Sequence, residues 1–376
     1  MRQLISFADS HRPIAVLVPR LRIGGADSYM RDALSSFPWK PGMPKMLLYV
    51  IHHDRHTTLQ YDGIEVISVS HAQSIQDRMA LIRQHMTEMG VGFVLLQLVG
   101  LAFLRTLWEI NIQTGIIFQN EEPTWSYSPS ELQRGNVPFL LATFGSMANR
   151  LRLLAPTIPV YTIWPKPDVP TQPANRFSMR RRWEVPEGAV LLGMVGAFKL
   201  HKRYTLAVRI LKSLRDRHVD AYLCIVGGHS ERYGGGQQAY EATIHLARRL
   251  GVADRLRCLG EVKQAEELCP SFDLFLNTSL YEGLSRATLS AVTQGCPVLA
   301  TAVGGIAEIL SPPNRAISAD ASPTEFADAA LSCLDAGWQE PSGLGSICST
   351  QAEWGLLWQK LLGDCRAPET EFEVAV

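Results

Sequence analysis

The segment YEGLSRATLSAVTQG, residues 281–295, places an acid and a glycine where an apolar run gives way to a helical pattern. The first turn of a helix leaves backbone N–H groups without intrahelical partners, and these groups attract anions. Amides around Thr288 and Leu289 are therefore predicted to face a phosphate. Gly283 allows a ligand to approach the backbone, and Glu282 adds an acid beside the same predicted site.

Two lysines form a second candidate anion site in VGAFKLHKRYTL, residues 195–206. Lys199 and Lys202 lie between a predicted strand end at Gly196 and a predicted helix start. A cation near a helix start is unfavourable by about 0.3–1 kcal/mol, because the helix dipole presents positive charge there. A bound phosphate would remove this penalty. The alternative is that both lysines are solvated and bind no ligand.

A third loop, RIGGADSYM at residues 22–30, carries Gly24 and Gly25 between the first predicted strand and a helix. Paired glycines in this position let a loop backbone approach a phosphate or a sugar. A simple turn is an equally consistent interpretation. If all three loops meet, they surround a diphosphate.

The apolar pattern predicts that strands and helices alternate along the chain and position these loops. In the first half, buried strands are predicted at 13–18, 45–51, 64–70, 93–98, 115–120 and 139–144, with helices at 26–37 and 74–90. In the second half, strands are predicted at 189–197, 220–228, 255–262, 273–279 and 297–303, with helices at 202–215, 237–250, 265–271, 286–294 and 305–310. A late helix opens with a capping box at Ser322, and Pro323 takes its first position.

A proline-rich stretch divides the chain into two such units. The predicted parts are an N-terminal Rossmann-like domain (1–165), a linker (166–176), a C-terminal Rossmann-like domain (177–345), and a helix and tail (346–376). Alternating strands and helices predict parallel sheets, so the fold class is α/β. Two Rossmann-like domains leave a cleft where the carboxyl ends of both sets of strands can face one ligand.

Composition limits the function further. The 36 basic and 36 acidic side chains balance, which argues against nucleic-acid binding, and the cluster Arg180–Arg182 is predicted to be a solvated helix start. The apolar run at 91–104 is interrupted by Gln97 and is shorter than the roughly 18 residues of a membrane span, so it predicts a buried strand and helix. The N-terminus lacks a signal-peptide pattern, and seven cysteines without a C-x-x-C pair fit reduced thiols. A cytoplasmic location is therefore expected.

The motifs resemble those of retaining glycosyltransferases of family 4, which have the GT-B fold. The resemblance is clearest across residues 195–310, in VGAFKLHK, IVGG, LGEV and SLYEGLSRATLSAVTQGCPVLATAVGGIAEI, and it extends to IGGAD near the N-terminus. It implies that Glu282 contacts the donor sugar and that Lys199 and Lys202 neutralise the diphosphate. The residues implied to bind the donor are Gly24, Gly25, Gly196, Val262, Gly283, Thr288, Leu289 and Ser290.

One departure from the family pattern concerns the nucleotide ribose. The family has a second acid eight residues after the first, and Ser290 occupies that place here. Losing a hydrogen bond to a charged group, worth about 1.5–3 kcal/mol, would weaken donor binding roughly ten- to a hundredfold. Either the donor binds more weakly, or another acid such as Glu261 or Glu308 holds the ribose.

Two further departures concern the phosphates. Ala197 stands where many members have an arginine, although in one variant the cation comes two residues later, at Lys199. In the first domain, a candidate site at Asn120 and Glu121, followed by Glu122, stands where members often have a histidine near the leaving phosphate. Neutral or acidic groups there would not donate as an imidazolium does.

The resemblance implies a metal-independent enzyme of the hexosyltransferase type that serves glycan or glycoconjugate biosynthesis. It would move a sugar from a nucleoside diphosphate sugar to a hydroxyl of a glycan, a lipid-linked molecule or a small molecule, and peripheral association with the inner face of the membrane is a further expectation. No cofactor and no metal ion are expected: the chain contains no Asp-x-Asp pair, and HHDRH at 52–56 fits no common zinc spacing.

Two other functions stay open at this point. A GT-B nucleotide-sugar epimerase would need a general acid and base in the first domain, for which Glu121 and Glu122 are the candidates. A catalytically degenerate GT-B protein that binds a partner enzyme or a glycan would be consistent with the missing acid at Ser290.

Overall fold

The computed structural model describes residues 12–19, 25–40, 45–52, 62–97, 100–119, 128–167, 174–229, 235–338 and 350–362. These residues form two parallel β-sheets, each flanked by helices. The predicted α/β class with two Rossmann-like units is confirmed.

Seven strands of the described residues form the first sheet. They are β1 Ile14–Val18, β2 Met46–Val50, β3 Ile64–Ser68, β4 Phe93–Gln97, β5 Gln113–Phe118, β6 Leu140–Ala142 and β7 Val160–Thr162. Their order is β3-β2-β1-β4-β5-β6-β7, and neighbouring strands are parallel. The first six coincide with the predicted apolar runs. The pattern misses β7 because its three residues are half-buried at the sheet edge.

Helices connect these strands. They are α1 Gly25–Ser35, α2 Ile75–Glu88, α3 Leu101–Glu109, α4 Pro129–Arg134 and α5 Gly145–Leu154. A capping box starts α2, because Ser74 Oγ accepts from the Asp77 amide while the Asp77 carboxylate accepts from the Ser74 amide. The apolar run at 91–104 forms β4 and the start of α3, as predicted. Among the described helices, none has the length and apolar character that a membrane span requires.

The second sheet contains six strands within the described ranges. They are β8 Val190–Val195, β9 Ala221–Val226, β10 Leu256–Cys258, β11 Leu274–Asn277, β12 Val298–Thr301 and β13 Arg315–Ile317. Their order is β10-β9-β8-β11-β12-β13, again parallel. β13 is absent from the prediction because it is short and only partly buried at the edge.

The second set of helices is α6 Arg176–Arg182, α7 Tyr204–Asp216, α8 Gly236–Arg249, α9 Arg286–Thr293, α10 Ile306–Ile309 and α11 Pro323–Ala336. Short 3₁₀ turns lie at Leu200–Lys202, Ala253–Arg255 and Ala265–Ser271. The last of these replaces the α-helix predicted at 265–271. α11 begins with the predicted capping box of Ser322 and Glu325.

The basic cluster in α6 corrects one prediction. Arg180 is 3% exposed, whereas the sequence pattern predicted a solvated side chain. Its guanidinium pairs with Asp273 at 2.9 Å and donates to the carbonyl of Pro186 at 3.2 Å. Arg181 and Arg182 are exposed, as predicted, but the cluster forms the last turn of α6 and not the predicted helix start. A buried cation is tolerated here because it has a charged partner, which the one-dimensional pattern does not reveal.

The last described helix, α12 Thr350–Leu362, packs against the first unit. Trp354 and Trp358 are fully buried. The Trp354 ring lies 5.3 Å from the ring of Tyr29, and Trp358 Nε1 donates to the carbonyl of Ala33 at 2.8 Å. The chain therefore returns to α1 after completing the second sheet.

Strand order reverses at one place in each sheet. In the first sheet this place is between β1 and β4: successive strands are added outward from β1 on one side and from β4 on the other. In the second sheet it is between β8 and β11. In open parallel sheets the crevice outside the carboxyl ends at such a point is the usual ligand site. Residues that follow β1, β4, β8 and β11 are therefore the candidates for function.

Candidate functional site

The carboxyl ends of β8 and β11 bring a lysine and an acid together. Lys202 ends the 3₁₀ turn after β8, and Glu282 lies in the loop after β11. Lys202 Nζ and Glu282 Oε1 form an ion pair whose side chains are 20% and 13% exposed. Ser279 Oγ donates to the same carboxylate oxygen at 2.7 Å. These three side chains form the centre of the candidate site.

The Glu282 carboxyl is ionised in this environment. Burial raises its pKa, but the positive charge of Lys202 and the hydrogen bonds from Lys202 and Ser279 lower it by more. The net pKa lies below the ordinary value for glutamate. The site therefore holds a carboxylate and an ammonium in contact at neutral pH.

Hydrogen bonds to backbone carbonyls hold the loop after β8 against the loop after β11. Thr278 Oγ1 donates to the carbonyl of Lys202 at 2.8 Å, and the Leu280 amide donates to the carbonyl of His201 at 2.7 Å. Arg203 has a left-handed backbone, with φ 50°, and its Nε donates to the carbonyl of Thr278 at 2.7 Å. These bonds hold the loop that carries Lys202 and the loop that carries Glu282 in fixed positions relative to each other.

His201 is a neutral aromatic neighbour of the pair. Its ring stacks on the ring of Tyr281, with centroids 4.6 Å apart. Burial, followed by the charge of Lys202, lowers the pKa of His201 to about 4. At neutral pH the imidazole is therefore uncharged.

Glycines allow the loop after β8 to fold closely. Gly196 has φ +150°, and its carbonyl accepts a hydrogen bond from the Tyr204 hydroxyl at 2.6 Å. A Cβ at Gly227 would lie 1.9 Å from the Gly196 carbonyl oxygen, so a larger residue at 227 would force the loops apart. The predicted donor residue Gly196 therefore lies at a tightly packed strand end.

The start of α9 differs from the prediction made for its amides. Ser285 caps the helix, and its Oγ accepts from the Thr288 amide at 3.3 Å. The Leu289 amide donates to the carbonyl of Ser285 at 2.9 Å, the normal helical bond. A phosphate that bound these two amides would have to displace bonds already formed. A local cap of this kind competes directly with ligand binding.

Ser290 lies on α9 and is fully buried. Two residues earlier, Thr288 is also buried, and its hydroxyl accepts a hydrogen bond from Asn277 Nδ2 at 2.9 Å. Asn277 ends β11, and its side-chain oxygen accepts from the Ser279 amide at 3.1 Å. A polar network therefore links α9 to the loop that carries Glu282.

The loop at Gly283 packs against the loop before α10. The Gly305 amide donates to the carbonyl of Gly283 at 2.9 Å. Gly304 has φ +56°, and a Cβ there would lie 2.1 Å from the Gly283 carbonyl oxygen. Close approach at this position is therefore made by the protein's own backbone.

Charged side chains of the second unit contact the first unit across the cleft. Glu308 accepts from the amides of Gly145 and Ser146, each at 2.8 Å, and so caps α5. Arg286, 7% exposed, pairs with Asp32 of α1 at 3.0 Å. Glu308, considered above as a substitute ribose ligand, is thus engaged in an interdomain contact.

Other predicted residues are more scattered. Lys199 is half-buried at the start of the 3₁₀ turn, Val262 is 37% exposed in the loop after β10, and Gly25 begins α1. Several predicted positions lie outside the described residues: Gly24, Asn120, Glu121, Glu122 and residues 53–56 of HHDRH. Within the described ranges, no group of three or more His, Cys, Asp or Glu side chains is placed to hold a metal ion.

Sequence patterns identified Glu282 and Lys202 but missed Ser279, His201 and Asn277. The available signal was the polar run NTS at the end of the apolar segment LFLNTS, residues 274–279, which contains β11. Polar residues that directly follow a buried strand face the ligand crevice of a parallel sheet. A small cavity beside the ion pair is lined by Lys202, Asn277 and other residues of these loops.

Comparisons with known proteins agree with this geometry. The family model described as "Glycosyl transferases group 1" matches residues 189–336, which include β8 to β13 and the candidate site. The D-inositol 3-phosphate glycosyltransferase of Kribbella flavida is 32% identical over 219 residues, which cover 53% of this chain and 48% of that protein. The chain therefore spans about half the length of this curated relative.

Solved structures share the whole fold. Sucrose-phosphate synthase from Thermosynechococcus elongatus has a TM-score of 0.68 and 14% identity, covering 93% of this chain and 96% of its own. An Anabaena protein in complex with UDP and glucose has a TM-score of 0.68 and 15% identity, with 94% and 96% covered. At sequence identities this low, the similarity to these structures shows the fold alone. The chain has the GT-B fold, and its residues 189–336 match the family model of the group 1 glycosyltransferases.

Proposed function

We propose that the protein is a retaining glycosyltransferase of family 4 that transfers a sugar from a nucleoside diphosphate sugar to an acceptor hydroxyl. The observation that carries the proposal is the Lys202–Glu282 ion pair, held by Ser279 at the point where strand order reverses. This pair lies within the residues that match the glycosyltransferase family. The position suits a donor substrate that has both hydroxyls and phosphates.

In the proposed reaction, the bond between the anomeric carbon and the donor phosphate oxygen breaks, and a bond from that carbon to the acceptor oxygen forms. The acceptor hydroxyl passes its proton to the leaving phosphate oxygen. The acceptor approaches the face from which the phosphate leaves, so the anomeric configuration is retained. No side chain forms a covalent intermediate. The main requirement is therefore to stabilise the negative charge that grows on the departing diphosphate.

Lys202 meets this requirement in the proposal, with Lys199 as a second cation on the same loop. Glu282 accepts hydrogen bonds from donor sugar hydroxyls and orients the ring. Before the donor binds, Glu282 keeps the Lys202 ammonium at the site. Because the lysine has three N–H donors, it can contact a phosphate oxygen without leaving the carboxylate.

The donor class is supported by a structural neighbour. The Anabaena protein of the same fold was solved with UDP and glucose. We propose a nucleoside diphosphate sugar as the donor here and leave the base to experiment. Cationic side chains supply the positive charge in this mechanism, so we propose that neither a metal ion nor another cofactor takes part.

The acceptor is proposed to be a glycan, a lipid-linked molecule or a small molecule with a free hydroxyl. A lipid-linked acceptor would bring the protein to a membrane surface as a peripheral component. Sedimentation with vesicles made of neutral and anionic phospholipids would test this association.

Binding and turnover of nucleotide sugars test the proposal directly. UDP, ADP and GDP are added separately to the wild-type protein, and the change in melting temperature identifies the bound nucleotide. The corresponding nucleotide sugars are then assayed for slow hydrolysis or transfer. We expect one nucleotide to stabilise the protein and its sugar to be turned over. Absence of stabilisation by all three would contradict the proposed function.

Ser290 favours one rival function, a catalytically degenerate GT-B protein. A neutral, fully buried hydroxyl stands where the resemblance implies an acid for the ribose. Such a protein would bind a glycan or a partner enzyme without turning over a donor. Nucleotide binding without turnover of any nucleotide sugar would support this rival.

A further inference from the structure

Three neighbouring strands of the first sheet end in buried polar side chains. Gln97 ends β4, Gln119 follows β5, and Thr143 follows β6; they are 1%, 8% and 2% exposed. In the strand register, Gln97 lies opposite Ile117, and Ile117 lies opposite Leu141. Gln119 and Thr143 come two residues after Ile117 and Leu141, just beyond the ends of β5 and β6. The three residues thus form a polar row at the carboxyl edge, called here the edge row.

Gln119 is unusual in this row. Among the described residues, neither its side-chain oxygen nor its side-chain nitrogen has a hydrogen-bond partner. Its backbone is engaged normally, since Thr143 Oγ1 donates to the Gln119 carbonyl at 3.4 Å. Burying an amide without hydrogen bonds is unfavourable, because the group has lost its contacts with water. The side chain therefore has one acceptor group and two donor hydrogens whose hydrogen bonds are unmet among the described residues.

The edge row faces the cleft. Phe144 and Gly145 follow Thr143 directly, and they contact Gly305 and Glu308 of the second unit. β4 also adjoins β1, the place where strand order reverses in this sheet. The same topological argument that locates the Lys202–Glu282 pair thus places the edge row on the opposite wall of the cleft.

We propose that Gln119 hydrogen-bonds the acceptor and that the acceptor is a neutral, hydroxyl-rich molecule, such as an unphosphorylated sugar or polyol. A hydroxyl both donates and accepts, and an amide side chain offers both complements. A phosphate or carboxylate would be bound best by arginine or lysine. The side chains of the edge row are all uncharged. The inference rests on the proposed function, because it requires a donor bound on the facing wall.

Acceptor preference is tested first on the wild-type protein. The nucleotide that stabilises the protein is kept saturating, and binding is followed by saturation-transfer NMR. The neutral probes are myo-inositol, glucose and N-acetylglucosamine; the anionic probes are inositol phosphate and malate. We expect at least one neutral probe to bind and to accelerate consumption of the nucleotide sugar, with the anionic probes at least about tenfold weaker.

Two variants then test the role of Gln119 in acceptor binding. Gln119→Met keeps the volume but removes the hydrogen bonds, so the acceptor KM should rise roughly tenfold or more while nucleotide affinity is unchanged. Its melting temperature should stay the same or rise, because an unpaired buried amide is lost. Thr114→Val is the matched control. It changes a buried polar residue at the opposite end of β5, where Thr114 accepts from Trp108 Nε1 at 2.9 Å, and should lower stability without changing acceptor KM.

Each contrary result has a distinct meaning. If no nucleotide binds the wild-type protein, the proposed function itself fails. If a nucleotide binds but only anionic probes act as acceptors, the neutral acceptor class is wrong. If a neutral acceptor is used and Gln119→Met leaves its KM unchanged, the role of Gln119 is overturned.

Discussion

Lys202 and Glu282 are 80 residues apart in the chain and form an ion pair at the carboxyl edge of the second sheet. β8 and β11 are neighbours in that sheet, so the loops that follow them meet although their sequences are distant. Ser279 donates to the same carboxylate at 2.7 Å. The two charges are therefore held in place before any substrate arrives, which is the condition for electrostatic stabilisation of a leaving group.

Removing the Lys202 ammonium should impair chemistry far more than folding. We expect Lys202→Ala to reduce sugar transfer at least about 10²-fold, the scale of losing one preorganised charge. Glu282 would keep its bond from Ser279 but lose its charged partner, so we expect the fold to persist with a lower melting temperature. Lys212→Ala is a matched control, since Lys212 pairs with Asp216 on the exposed part of α7. Transfer rates and melting temperatures are measured for both; wild-type turnover in Lys202→Ala would remove the diphosphate assignment.

His201 should make the protein sensitive to mild acid. Its pKa is lowered from 6.5 to about 4, so the folded protein binds this proton more weakly than the unfolded chain. The resulting stability is fully present above pH 6.5 and is lost as the pH falls toward 4. We expect His201→Gln to lose less unfolding free energy than wild type over this range in urea titrations. His245→Gln, exposed on α8, serves as the control. Equal acid sensitivity of wild type and His201→Gln would contradict the assignment.

Divalent metal ions should not be required. In the proposed mechanism Lys199 and Lys202 supply the positive charge that a metal would provide in other transferases. We therefore expect transfer to continue at an unchanged rate after exhaustive dialysis against a chelator. Abolition by the chelator, with recovery on adding Mg²⁺ or Mn²⁺, would count against the mechanism.

The contact of Glu308 with α5 should hold the two units together. Its carboxylate accepts from the amides of Gly145 and Ser146, so Glu308→Ala removes both bonds. We expect faster hydrogen exchange at these two amides and a more open average shape in small-angle scattering. Glu325→Ala is a suitable control, because Glu325 caps α11 within its own unit. Identical exchange at Gly145 and Ser146 in wild type and Glu308→Ala would show that the contact does not persist in solution.

The sequence predicted the fold well because apolar runs mark buried parallel strands. Its failures, β7 and β13, are three-residue edge strands that bury too little to leave a pattern. The site was predicted only in part. Glu282 and Lys202 stand out by their positions, whereas the roles of Ser279, Glu308 and Gln119 depend on which loops and strands meet in three dimensions. The same is true of Arg180, whose charge is buried beside Asp273.

Ser290 offers the sharpest test of the donor site, because it replaces the acid that the resemblance assigns to the ribose. It lies on α9, two residues after Thr288, and is fully buried. A carboxylate introduced there would be buried, and a buried charge is costly unless a partner binds it. We therefore expect Ser290→Glu to have a lower melting temperature than wild type when no nucleotide is present.

If this position faces the donor, the ribose hydroxyls supply the missing partners. The nucleotide should then bind Ser290→Glu roughly ten- to a hundredfold more tightly than wild type and raise its melting temperature by more. Ser290→Ala controls for loss of the hydroxyl alone and should leave nucleotide affinity within about threefold of wild type, because one neutral hydrogen bond contributes little. Nucleotide affinities and melting temperatures of both variants show whether residue 290 faces the donor. A stable Ser290→Glu protein whose nucleotide affinity equals that of wild type would show that residue 290 does not face the donor.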